Sequence, residues 1–156
     1  METNEKLSEV LNGLIEINND RVNGYEKARE EVKDLDLDLK AMFTSMANDS
    51  QKYAGELSKV VTELGGTPAD GTTNSGKLYR VWMDIKTTFT ANDRQSALEL
   101  CEFGEDAAQK AYKAALSSDA EMNAETRQLI TGQQSNLKTS HDIIKKYRDL
   151  HQAVNA

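Results

Sequence analysis

The chain has 156 residues, 38% of them hydrophobic, and carries a net charge of −7 with 29% charged residues. That length suits one ordinary domain. The acidic balance excludes a non-specific binder of nucleic acid or anionic membrane, since phosphate contacts need clustered Lys and Arg and the most basic run, KKYR at 145–148, is too short.

No apolar run reaches the length of a membrane span. The first residues, METNEKLSEVL, are polar and acidic, unlike a secretory signal. A single cysteine, Cys101, excludes an internal disulfide. These features point to a soluble, cytoplasmic protein. One proline and abundant three-four apolar spacing point to an all-α domain over residues 1–156.

The spacing predicts a first helix over about 5–32, with Leu7, Leu11, Leu14, Asn18, Tyr25, Ala28 and Val32 on its seam. A tight connection at 33–36 leads to a second helix ending at Leu64. Its seam runs Leu39, Phe43, Met46, Ser50, Tyr53, Leu57, Val60 and Leu64, and Gly65, Gly66 and Pro68 stop it. A long crossover, 65–92, follows. It contains an extra short helix with Leu78, Trp82, Ile85 and Phe89 on one stripe. Thr90 and Asp93 read as a capping box for a third helix over about 93–116. Ser118 and Glu121 read as the box for a fourth, with Ile130, Gln133, Leu137, Ile144 and Tyr147 on its seam. Two hairpins joined by a long crossover describe a ferritin-like four-helix bundle.

The segments NGYEKA, LKAMF, ELGGTP, WMDIK, CEFGEDAAQKAY and HDIIKKYRDL resemble a family of bacterial ferritin-like four-helix-bundle proteins known as a conserved domain of unknown function. The resemblance covers nearly the whole chain, and GEDAAQKAY is among its most specific parts. It implies the fold and a bacterial origin, and no activity.

Ferritin-like di-iron sites take a Glu from each of two helices and a Glu-x-x-His from each of the other two. No Glu-x-x-His occurs here: Lys138 and Arg148 precede His141 and His151 by three. The candidate metal ligands reduce to Glu105, Asp49 and His141, with Arg21 and Asn18 on the inner face of the first helix. Folding each hairpin about its turn places Arg21 beside Asn48 and Asp49, Glu105 beside Gln134, and His141 beside Leu98, a heptad from Glu105. The expectation is a structural polar layer with an Arg21–Asp49 pair and Glu105 paired with Gln134 or a hydroxyl, no resident cofactor and no catalytic residue. No histidine lies within a helical turn of Cys101 to activate it.

On a helical wheel Gly104 falls among Ala97, Cys101, Ala108, Ala111 and Ala115 on one face, a surface suited to close approach, with Glu105 and Tyr112 at its border. The functional expectation is a non-enzymatic bundle acting through protein contacts or self-association as a dimer, with Tyr79, Val81 and Trp82 as the pairing surface. A stress-related role would rest on fold-level analogy. The alternative is a metal-binding protein or oxidase with a degenerate carboxylate site.

Overall fold

The computed structural model describes residues 2–31, 37–72, 84 and 94–154. The tight connection at 33–36, the helix expected within the crossover, its Tyr79–Val81–Trp82 surface and the Thr90–Asp93 box lie outside the described residues. Among the described residues there are four helices: α1 (Glu2–Glu31), α2 (Leu37–Glu63), α3 (Arg94–Ser117) and α4 (Ala124–Val154). None is long and apolar enough to cross a membrane.

The apolar seams bury as their spacing requires. Leu7, Leu11, Leu14, Tyr25 and Ala28 of α1 are almost fully inaccessible, as are Leu39, Phe43, Met46 and Leu57 of α2. Each large apolar side chain removed from water contributes about 1.5–3 kcal/mol. One departure comes late in α2, where Val61 rather than Val60 is fully buried.

Helix α2 ends in a Schellman motif. The Gly66 amide donates to the Val61 carbonyl at 2.9 Å and the Gly65 amide to that of Thr62 at 3.0 Å. Gly65 has φ +84°, a conformation that costs little only without a Cβ. The α3–α4 connection differs from the expected capping box. The Ser118 hydroxyl closes α3 by donating to the Ala115 carbonyl at 2.8 Å. Asn123 caps α4, its Oδ1 accepting from the Thr126 amide at 2.8 Å. The four helix-terminal amides of α4 therefore begin five residues later than a Ser118 cap would place them.

Helix directions follow from pairings across the bundle. Arg21 meets Glu105, Asn18 meets Tyr112 and Lys6 meets Asp119, so α1 and α3 are antiparallel. Arg21 meets Ser50 and Arg29 meets Thr44, so α1 and α2 are antiparallel too, and α2 and α3 run the same way. The order is up-down-down-up, the ferritin-like arrangement. Helix α1 packs on α2 and α3, α4 packs closely on α3, and α2 and α4 touch sparsely.

The crossover sets off along α1. Asn12 donates to the Thr67 carbonyl at 3.1 Å and accepts from the Ala69 amide at 2.8 Å. Two turns on, Asn19 donates to the Gly71 carbonyl at 2.9 Å. Seven helical residues span about 10.5 Å, which an extended 67–71 segment covers.

The hydrophobic interior is divided in two. One cluster joins Tyr25, Leu39, Phe43, Leu98 and Ile144, with Tyr25 stacked on Phe43 at a centroid distance of 5.4 Å. The other joins Leu11, Ile15, Leu57, Tyr112 and Ile130. Between them lies a layer of buried polar side chains.

Candidate functional site

The layer is built from seam positions that an apolar bundle would fill with leucine. Helix α1 supplies Asn18 and Arg21, α2 supplies Ser50, α3 supplies Glu105 and Tyr112, and α4 supplies Gln133. All are essentially without solvent exposure.

Glu105 Oε1 accepts from Arg21 Nε at 3.0 Å, from Arg21 Nη2 at 2.8 Å and from the Tyr25 hydroxyl. Arg21 Nη1 donates to Ser50 Oγ, which donates to Asn18 Oδ1 at 2.9 Å. Asn18 Nδ2 donates to its own helix at the Leu14 carbonyl, 2.9 Å, and to the Tyr112 oxygen at 2.8 Å. The Tyr112 hydroxyl donates to Gln133 Oε1 at 2.7 Å. Gln133 Nε2 in turn reaches the Tyr53 carbonyl and Glu56 Oε1 at 3.4 and 3.3 Å. One connected network thus ties all four helices together. Glu105 Oε2 is its unpartnered atom among the described residues.

The electrostatics of the layer favour fixed charges and neutral hydroxyls. Burial opposes the charge on Arg21, but the adjoining Glu105 carboxylate more than offsets it and the guanidinium pKa is raised. The guanidinium also lies 5.4 Å from the centre of the Tyr25 ring. Burial first, and the Glu105 charge second, push the Tyr25 phenol well above its ordinary value. The same two causes, in that order, raise the Cys101 thiol. Burial raises Tyr112 against the opposing Asn18 hydrogen bond. A thiol held neutral is not a nucleophile.

Two expectations need correction here. Arg21 pairs with Glu105, not with Asp49. Asp49 is half-buried and lines a groove of about 660 Å³ between α2 and α4, with Lys52, Tyr53, Asn136 and Tyr147. Glu105 is fully inside the bundle rather than at the border of the α3 stripe, because Arg21 and Tyr25 reach it from α1. It does not pair with Gln134, whose carbonyl instead accepts from Gln109 at 3.2 Å.

His141 is the other departure. It lies on the α3–α4 seam with Nε2 2.5 Å from Asp106 Oδ1, not opposite Leu98. The six residues between Ser117 and Ala124 move the hairpin pivot, and His141 slides along α3 accordingly. The three candidate ligands therefore occupy three places: the core, the α2–α4 groove and the α3–α4 seam. The residues missed from the sequence are Tyr25, which completes the layer, and Glu102 and Asp106, which adjoin His141. The Glu102/Asp106 spacing of four was the available signal.

A di-iron centre needs carboxylates and imidazoles converging on one point. In the network traced above the fully buried carboxylate is Glu105, already bonded to a permanently charged guanidinium, with hydroxyls and amides around it and Glu56 at its half-buried end. This donor set does not fit such a centre.

A profile for a domain of unknown function, DUF2383, matches residues 6–118. The chain belongs to the DUF2383 family. The DUF2383 match takes in most of α1 and all of α2 and α3, and stops where α3 ends. Among solved structures, a mutant of Dps1 from Mycobacterium smegmatis shares the fold with a TM-score of 0.75, at 12% identity over 94% of this chain and 97% of that one. At that identity the likeness establishes the ferritin-like fold alone. No protein of curated function matches the chain.

Proposed function

We propose that the chain is a non-enzymatic, cytoplasmic ferritin-like bundle that acts by self-association. The observation that carries this reading is the Arg21–Glu105 pair at 2.8 Å, both side chains fully buried, in the bundle interior, where ferritin-like di-iron proteins gather their metal ligands. The pair neutralises itself, and the surrounding thiol and phenols are held protonated. No general base or activated nucleophile is assembled around it.

Support for self-association comes from the exposed large apolar side chains. Leu37 is 71% exposed, Leu150 54%, Phe103 50% and Ile143 39%. All four lie in the half of the bundle where α2 begins and α4 ends. A second copy meeting this half about a two-fold axis would cover them. A stress-related role rests on fold-level analogy alone.

Two measurements test the proposal. Light scattering at micromolar concentration is expected to give more than a monomer mass, reduced by Leu150→Lys with Phe103→Lys. A strict monomer overturns self-association. Protein purified without chelator is expected to hold well under one iron per chain and not to accelerate Fe²⁺ oxidation by oxygen. Two irons per chain, lost together on Glu105→Ala, would make the oxidase alternative the leading one.

A further inference from the structure

The α3–α4 seam carries a second cluster of chemistry-bearing side chains, outside the interior layer. Glu102 and Asp106 are four residues apart and so share a face of α3. His141 reaches them from α4. One ligand atom from each of the three lies within 4.8 Å of the other two. A metal bound at 2.0–2.2 Å by nitrogen and oxygen draws its ligands closer than this by modest side-chain rotation.

We propose that Glu102, Asp106 and His141 form a surface site for one divalent transition-metal ion of the zinc type, clamping α3 to α4. This is more than a group of acidic residues on one helix, because the imidazole comes from a different helix and is already aimed. Its Nε2 points at Asp106 Oδ1, 2.5 Å away. Its Nδ1 lies 3.2 Å from Asp142 Oδ1. A bound ion takes the place of the proton that Nε2 shares with Asp106 Oδ1, which is released to solvent while the two atoms part to make room. With the proton on Nδ1 donated to Asp142, Nε2 then presents its lone pair to the ion. A carboxylate behind the far nitrogen is the usual outer support of a metal-binding histidine.

Accessibility suits entry of an ion. The side chains of Glu102 and His141 are 15% and 19% exposed, while that of Asp106 is 52% exposed. Two ligands are thus held against the bundle and the third opens to water, leaving coordination positions for solvent. One imidazole and two carboxylates suit a borderline cation. Calcium takes six to eight oxygens, and no thiolate is present to select a softer ion.

One group opposes the ion. Arg148 Nη1 contacts Glu102 Oε2, and a cation entering must displace it. Arg148 has another partner ready, for its Nη2 and Nε already lie 2.9 and 3.2 Å from Asp149 Oδ1. The guanidinium can therefore release Glu102 without losing all its pairing. Arg148 is a competitor for the site rather than a part of it. The site uses none of the side chains of the interior layer.

Calorimetric titration of the full chain with Zn²⁺ tests this. The expected result is one ion per chain. His141→Ala should weaken binding at least tenfold, and Asp106→Asn should weaken it as well. Asp142→Asn should weaken it by about 10- to 100-fold, as loss of an outer-shell partner does. Arg148→Gln should tighten it, a result that a merely structural role for these residues would not produce. His151→Ala, at the chain's other histidine, should leave it unchanged. Melting curves in chelator confirm that each variant is folded, as expected for partly exposed positions. No saturable binding, affinity unchanged in His141→Ala, affinity lost in His151→Ala, or weaker binding in Arg148→Gln would each overturn the proposal.

Discussion

Arg21 and Glu105, 84 residues apart in the chain, meet at 2.8 Å with neither side chain exposed to solvent. Breaking such a pair from one side leaves an uncompensated buried charge, at a cost of about 3–5 kcal/mol. Arg21→Met and Glu105→Leu should each lower the melting temperature by about 10 °C or more, given about 2–4 °C per kcal/mol at this size. The double variant should be milder than the sum, with a coupling of about 2 kcal/mol. Urea denaturation of the four proteins measures it. Additive effects would show that the pair does not act as a unit.

Stability should fall on the alkaline side. Cys101, Tyr25 and Tyr112 all have folded pKa values raised above their ordinary 9.0, 10.0 and 10.0, burial being the leading cause in each. For groups raised in this way the fold favours the protonated form. Their contribution is fully present below the ordinary value, where folded and unfolded chains bind the proton alike. It is lost as pH climbs toward the folded value, because the unfolded chain ionises first. The melting temperature should therefore decline above pH 9.0 and more steeply above 10.0. Cys101→Ala should delay the onset to the phenol range. A melting temperature flat through this interval would contradict the assignment.

The two glycines after α2 should respond differently to alanine. Gly65→Ala forces a Cβ into a left-handed backbone, costing about 1 kcal/mol. At Gly66 the obstacle is contact: an added Cβ would stand 2.8 Å from Ser8 Oγ and 3.1 Å from Val61 Cγ1. Ser8→Ala should partly rescue Gly66→Ala and leave Gly65→Ala unaffected. Thermal melts of the single and double variants decide between the two mechanisms.

Gly104, buried in α3, gives a related test. Gly104→Leu should depress the melting temperature sharply, while Gly104→Ala should be mild, since alanine recovers up to about 1 kcal/mol of helix propensity. Full tolerance of leucine would mean that α3 is not closely approached there.

Asn123→Ala should destabilise by about 1 kcal/mol through loss of the α4 cap. Ser118→Ala should cost less, because its hydroxyl serves one terminal carbonyl of α3. The reverse order in denaturant midpoints would restore Ser118 as the cap.

The apolar seams were legible in the sequence because three-four spacing leaves few alternatives for Leu7, Leu11, Leu39 and Phe43. The level of Arg21 was legible too. Folding about a tight turn placed it beside Asn48 and Asp49, and it bonds Ser50, the next residue. The second hairpin was less readable. Several hydrophilic residues between Leu116 and Thr126 are acceptable caps, and the choice of Asn123 decides where His141 falls on α3. Glu105 was misplaced for a different reason. A helical wheel ranks positions by apolar neighbours within one helix, whereas Glu105 is drawn inward by Arg21 and Tyr25 from another.

The interior network also has an order in time. Its links within a hairpin join residues close in the chain, 29 apart for Arg21–Ser50 and 21 for Tyr112–Gln133. Its links between hairpins join residues 77 to 94 apart. Short loops close first, so each hairpin can zip by itself before the two meet. Two greasy surfaces alone would accept several ways of meeting, offset by a helical turn. The network accepts one, since any offset strands the guanidinium away from its carboxylate. The layer thus works as a checkpoint in assembly, passed only by halves that have docked at the right height.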